Sequence, residues 1–248
     1  WLATMLITTS DGYDLKRMMV LFTLAAVSAG SIVALKIRLQ AESPLKNRKT
    51  LSESERATVS FWAIFAVAVP MCVSTVMLVS LIPTRLHELG FKLTFGGFTT
   101  MLYGVGMTAG SFFWSAVSDR IGRLQSCTVA LLLGLPSFAA YLFLMEYKLA
   151  AGLMIAAGFT CPAVYPVVVT AAGRARGLKL GQRMAFAVGG AWGIASVVLM
   201  ISGPIAERFG TDIVLKFSPA GYIISAIVCI AVIIKARPGG YLAELDRR

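Results

Sequence analysis

An all-α, polytopic membrane bundle is the fold class this sequence predicts, and three observations predict it. Of the 248 residues, 57% are hydrophobic and only 14% are charged, whereas soluble domains carry about 25% charge. The charges are gathered into short clusters between uncharged runs at residues 18–35, 57–84, 93–118, 124–145, 149–173, 184–206 and 217–234. Each run is continuous in apolar character, unlike barrel strands, which alternate apolar and polar residues over about 10 positions. A helical run of this length crosses ~30 Å of hydrocarbon at 1.5 Å per residue. Seven crossings are therefore expected.

Residues 1–10, WLATMLITTS, are apolar but too short to cross. They read as the outer end of a helix or as an interfacial segment. The run 18–35 is the first full span. Residues 36–56 are rich in Ser, Glu and Lys, a composition that cannot bury a core, and they read as a linker, with Ser52 and Glu55 spaced to cap a surface helix. Six runs follow within 57–235, joined by shorter connections that make neighbouring helices antiparallel. Residues 236–248 form a polar tail. The expected divisions are thus 1–35, 36–56, 57–235 and 236–248.

Alternate loops can be assigned to two sides. One set, residues 36–56, 119–123, 174–183 and 235–248, holds 16 of the 23 Lys and Arg, and the other holds 7. Acidic residues divide six and six, so the sides carry +10 and +1, which sum to the net +11. An excess of Lys and Arg marks the cytoplasmic side. This places the C-terminus in the cytoplasm and the chain in the cytoplasmic membrane. The basic residues are spread over several loops rather than one face, so anionic lipid headgroups of the bilayer, and not nucleic acid, are the expected contact.

Two kinds of position stand out inside the runs. Pro70 falls in the first of the six later helices, and Pro162 and Pro166 fall in the fourth. A proline removes a backbone hydrogen bond and frees a carbonyl, which is tolerated beside a cavity or a neighbouring helix. First and fourth are equivalent positions if the six helices are two inverted repeats of three, and transporters of that build place interrupted helices beside the substrate path. Prolines are also simply common in membrane helices. The second and fifth helices each carry a GxxxG step, Gly106 to Gly110 and Gly189 to Gly193. Such a step lets two helix backbones approach closely, either as static packing or, given the recurrence, as a pair that slides against a partner domain. Polar and aromatic residues on and beside the interrupted helices are the path candidates: Ser74, Thr75, Tyr103, Thr160, Tyr165 and Trp192.

Enzymatic chemistry finds no constellation here. His87 is the only histidine and reads as a satisfied interfacial residue, so no histidine cluster can hold zinc. Cys72, Cys127, Cys161 and Cys229 stand singly in apolar runs and read as small hydrophobes. The sequence has no phosphate-cradling GxxxxGK[ST] loop, which argues against a nucleotide-driven pump. No metal or cofactor is expected, and the chain is not expected to be an enzyme. No carboxylate lies within a run, so coupling to protons through these spans is not expected either.

Between the second and third of the six helices stands SAVSDRIGRLQ, residues 115–125. Here Asp119, Arg120, Gly122 and Arg123 resemble the G-x-x-x-D-R-x-G-R-R/K loop of the major facilitator superfamily, with Ser115 in place of the first glycine and Leu124 in place of the last basic residue. AESP at 41–44 and SGPIAERFG at 202–210 resemble, more weakly, stretches after that family's sixth helix and at the end of its eleventh. The resemblance implies that residues 1–10 end a fifth helix, that 18–35 are the sixth and 57–234 the seventh to twelfth, and that a six-helix N-terminal half is missing. It implies a secondary transporter of a small molecule, working by alternating access, with the Asp119 loop locking the cytoplasmic ends of the two halves together. The uncharged spans lean the expectation towards efflux. Uptake of an organic anion or other metabolite by a symporter is the alternative, and a transporter-like scaffold or biogenesis protein is a third reading.

Overall fold

The computed structural model describes residues 8–9, 12–13 and 59–236. The chain divides into two units, residues 1–55 and 56–248. In the first, β1 (Thr8–Thr9) pairs antiparallel with β2 (Gly12–Tyr13), Thr8 opposite Tyr13 and Thr9 opposite Gly12. The backbone is therefore extended where the end of a helix was expected, as suits the β-branched Thr8 and Thr9. The expected span 18–35, the linker 36–56 with Ser52 and Glu55, and the tail from 237 onward lie outside the described residues.

The second unit is a helical bundle. Its elements are α1 (Phe61–Glu88), α2 (Leu93–Ile121), α3 (Arg123–Leu144), α4 (Lys148–Arg174), α5 (Leu180–Phe209) and α6 (Thr211–Lys235). Five of these are long and apolar enough to cross a membrane. The other, α2, spans 29 residues but is diluted by five Gly, four Thr and three Ser. Its length at 1.5 Å per residue, about 43 Å, still suffices. Large apolar side chains such as Phe143, Leu149, Met200 and Phe217 are 71–93% exposed on the outside of the bundle, a surface that water does not tolerate and lipid does. The protein is thus almost entirely helical among its described residues and reads as a multi-pass membrane protein.

Packing follows a pattern. Helix α1 packs on α5 and on α6, while α2 packs on α4, α4 on α3, and α3 on α6. Exchanging α1 with α4, α2 with α5 and α3 with α6 leaves this set of partners unchanged. The loops also sort to two ends of the bundle. At one end the Phe61 N–H donates to the Arg176 carbonyl at 3.0 Å, and the Arg123 guanidinium donates to the Thr170 carbonyl at 3.3 Å. At the other, Arg85 pairs with Glu88 at 3.0 Å and with Asp212 at 3.3 Å, and the Thr211 hydroxyl donates to Glu88 at 2.5 Å.

The junctions between second and third helices of each set are alike. Gly122 ends α2 at φ 96°, ψ 149°, and Gly210 ends α5 at φ 91°, ψ 144°. Only glycine adopts this backbone region without strain of about 1–3 kcal/mol. Gly122→Ala and Gly210→Ala are each expected to lower unfolding stability by that amount, read as a shift of the unfolding midpoint in detergent. Gly152→Ala is the control, because its φ is −62° and an added Cβ meets nothing.

Candidate functional site

Two departures from regular helix face each other inside the bundle. Helix α4 runs as a short 3-10 turn at Lys148–Gly152, an α-helix at Leu153–Thr160, a second 3-10 turn at Pro162–Val164, and an α-helix at Tyr165–Arg174. The second turn is where Pro162 withholds its N–H, as expected of a broken helix. Helix α5 widens to a π-helical turn at Phe186–Gly190, between α-helices Leu180–Ala185 and Ala191–Phe209. The Tyr165 hydroxyl joins the two departures, donating to the Ala187 carbonyl at 2.9 Å. A π-turn disturbs the i→i−4 ladder, and here a neighbouring side chain serves one of its carbonyls.

Pro70 does not break α1, which is continuous from Phe61 to Glu88. This corrects the expectation of an interruption, and the reason lies in α6. The Ser225 hydroxyl donates to the Val67 carbonyl at 2.8 Å on one side of Pro70, and the Ser74 hydroxyl donates to the Ser218 carbonyl at 2.5 Å on the other. Gly221 allows the approach, since a Cβ there would lie 2.2 Å from the Pro70 carbonyl oxygen. Clamped on both sides, the helix keeps its path despite one lost bond.

A cleft of about 160 Å³ opens between α1, α2, α4 and α5. Its walls are Met71, Cys72 and Thr75 of α1, Met107 and Ser111 of α2, Pro162, Tyr165 and Pro166 of α4, and Trp192 of α5. Tyr165 and Trp192 meet edge to face with ring centroids 5.8 Å apart. Among the described residues, no charged side chain lines the cleft. An uncharged pocket with a few fixed hydroxyls suits a small, largely apolar ligand.

The structure brings three of the six path candidates together here: Thr75, Tyr165 and Trp192. The other three lie elsewhere. Ser74 is fully buried against α6. Thr160 bonds back to the Ala156 and Ala157 carbonyls and packs at Gly134 of α3, where an added Cβ would lie 2.4 Å from its hydroxyl. Tyr103 is buried against Phe138, and its hydroxyl meets that of Tyr222 at 2.8 Å. Tyr222 in turn meets Thr75 at 2.8 Å, so Tyr103 reaches the cleft wall only through a chain of hydroxyls. Met71, Met107 and Ser111 were missed from the sequence, although their i, i+4 relation to Thr75 and to one another carried the signal.

The two GxxxG steps do different things. Gly106 and Gly110 face α4, where an added Cβ would lie 2.1 Å from the Ile155 oxygen and 2.2 Å from the Phe159 oxygen. The Trp114 indole N–H, one turn further, donates to that Phe159 oxygen at 2.9 Å. This is packing inside the bundle, not a face that slides on a partner domain. Gly189 and Gly193 have open space around them, on a helix of which only 17% of the apolar window is buried, against 56% in α4.

In the loop motif, Gly122 makes the sharp junction and its N–H donates to the Ser118 carbonyl at 3.0 Å. Asp119 and Arg120 are exposed, and no side chain caps α3, so Asp119 is not the cap of its following helix. Arg123 ties the loop to α4. The four residues 119–122, Asp-Arg-Ile-Gly, have a counterpart at the end of α5 in Glu207, Arg208, Phe209 and Gly210, a signal in the sequence that becomes legible once the two glycines are seen to share one conformation. No protein-family model and no curated protein matches this chain, so its function is argued from the cleft and the bundle around it.

Proposed function

We propose that residues 59–236 are one six-helix half of a secondary transporter of the major facilitator type, two inverted three-helix repeats that rock against a second half and carry a small molecule through a central site. The observation that supports this most directly is the cleft. It is built from the first and second helices of both sets of three, α1, α2, α4 and α5, as inverted repeats require of a shared path. The unchanged set of packing partners under exchange of the two sets, and the matched glycine junctions, point the same way. The end bearing Arg120, Arg123, Arg174 and Arg176 faces the cytoplasm in this reading, and the uncharged wall favours efflux of amphiphilic molecules over uptake of an organic anion.

The test is flux through the full-length protein, second half included, reconstituted in liposomes, across a panel of neutral, cationic and anionic compounds. Substrate-dependent flux is expected. No flux across the panel, with partner proteins co-purifying, overturns the reading in favour of a membrane scaffold. Within the same assay Asp119→Asn is expected to lower flux without changing stability, because Asp119 is exposed and caps nothing. Unchanged flux removes it from the gating role that we assign to Asp119, Arg120, Gly122 and Arg123.

A further inference from the structure

The two ends of the bundle treat their charges differently. The ion pairs of the described residues, Arg85 with Glu88 and Asp212, and Lys216 with Asp212, all stand at one end. At the loops of the other end Arg120, Arg123, Arg174, Arg176, Lys179 and Arg183 face one carboxylate among the described residues, Asp119. The α4–α5 loop also holds its cations in fixed places. The Arg176 N–H donates to the Val59 carbonyl at 3.1 Å, and its own carbonyl accepts from the Phe61 N–H at 3.0 Å. Its backbone is thereby tied to the start of α1, while the residue stays exposed. Lys179 is exposed as well, and its N–H donates to the Gln182 side-chain oxygen at 3.2 Å. Arg183 donates one guanidinium N–H to the Ala175 carbonyl, and its Nε–H is buried without a partner among the described residues. Next to this loop lies an aromatic cluster open to the outside. Trp62 is 59% and Phe186 44% exposed, their ring centroids are 6.3 Å apart, and both meet Phe61 and Phe65.

We propose that the α4–α5 loop and the rings beside it bind one anionic glycerophospholipid, its phosphate on Arg176, Lys179 and Arg183 and its acyl chains along Trp62 and Phe186. Aromatic rings concentrate where hydrocarbon meets headgroups, and cations at that depth attract acidic headgroups. Both features come together here. Arginine offers N–H groups in a fork that fits a phosphate, and the Arg183 Nε–H is a donor still to be satisfied. Because no carboxylate pairs with these cations among the described residues, an added anion gains their full field. Phosphatidylcholine brings its own cation next to its phosphate, so its net attraction is small. The backbone bonds of Arg176 and Lys179 order the loop before a lipid arrives, which lowers the entropic cost of binding. Such a site is local, unlike the general attraction of a basic surface for an acidic bilayer, and it does not depend on what the cleft carries.

The experiment uses Trp62 as the reporter. The full chain is placed in phosphatidylcholine nanodiscs that contain a minor fraction of brominated phosphatidylglycerol or, in parallel, of brominated phosphatidylcholine. Bromine quenches nearby indoles, and the difference between the parent and Trp62→Phe isolates the signal of Trp62. Phosphatidylglycerol should associate at least ~5-fold more strongly than phosphatidylcholine. Arg176→Gln and Lys179→Gln should each lower that preference roughly 2- to 5-fold, while Arg176→Lys should keep most of it. Neither side chain bonds within the described residues, so both variants should fold. Arg120→Gln, exposed at the α2–α3 junction, should leave the preference unchanged. Equal quenching by the two lipids overturns the proposal. So does an Arg120→Gln loss as large as that of Arg176→Gln, which would make the attraction diffuse. Inorganic phosphate, added at matched ionic strength, should not relieve the quenching by phosphatidylglycerol, and relief would assign the cations to a free anion instead of a lipid.

Discussion

Leucine in place of Gly106 is expected to keep α2 and α4 from closing and to reduce the yield of folded bundle sharply. Helices in lipid gain no hydrophobic drive from meeting each other, so their association depends on close backbone packing. At Gly106 even a methyl group would sit 2.1 Å from the Ile155 oxygen, and on the opposite helix a Cβ at Gly158 would sit 2.1 Å from the Tyr103 oxygen. Backbone is what would have to move. Gly106→Ala is therefore expected to cost about 1–3 kcal/mol, the usual range for overpacking, and Gly106→Leu more. The Trp114 bond to the Phe159 oxygen should be lost along with the approach. Gly193→Leu, on open surface, is expected to stay within about 0.5 kcal/mol of the parent. Reversible unfolding in mixed micelles measures both, and equal losses at the two glycines would contradict the packing described. Lost flux with unaltered stability in Gly193→Leu would mark the face of α5 as a contact with another body.

Removing the Tyr222 hydroxyl is expected to destabilise the bundle by about 1–3 kcal/mol, more than removing that of Tyr103. The asymmetry comes from proton direction. Thr75 donates to the Met71 carbonyl, and with that proton placed, the direction that gives every hydroxyl hydrogen an acceptor runs from Tyr103 to Tyr222 to Thr75. Tyr222→Phe leaves the Tyr103 O–H buried without an acceptor, which costs the desolvation of a donor, about 1–3 kcal/mol. Tyr103→Phe removes the end of the chain and orphans no donor, so about 0.5–1.5 kcal/mol is expected. The stacking of Tyr222 on Phe138, with centroids 5.3 Å apart, survives either change. The order of the two unfolding midpoints is the measurement, and the reverse order would mean that the chain runs the other way.

Much of the architecture was legible because it follows from one constraint, that backbone polar groups in lipid must be satisfied within the helix. The uncharged runs within 57–235 became α1–α6 with ends shifted by a few residues. The junction at Gly122 was legible for the same kind of reason, a residue type tied to one backbone conformation. The prolines were only half legible. Pro162 does break α4, while Pro70 leaves α1 intact because Ser225, Ser74 and Gly221 hold α6 against it, and no local pattern announces a clamp that joins residues 144 to 158 apart.

The same divide separates the site residues. Ser74 and Thr75 are adjacent and equally polar in the sequence, but successive helix positions point about 100° apart, and only packing decides that Ser74 is spent wholly on α6 while Thr75, bonded to Tyr222 of α6, also reaches the cleft wall. Two identical GxxxG steps became a tight internal seam in α2 and an open face in α5, because a small residue permits close approach but does not supply the neighbour. Sequence alone therefore determined that the chain is a bundle of membrane-length helices, where those helices end, and which loops carry the positive charge, all consequences of hydropathy and charge that act locally. Tertiary structure decided which faces meet, which helix keeps its path across a proline, and which three candidates share a cleft, because these depend on partners far along the chain.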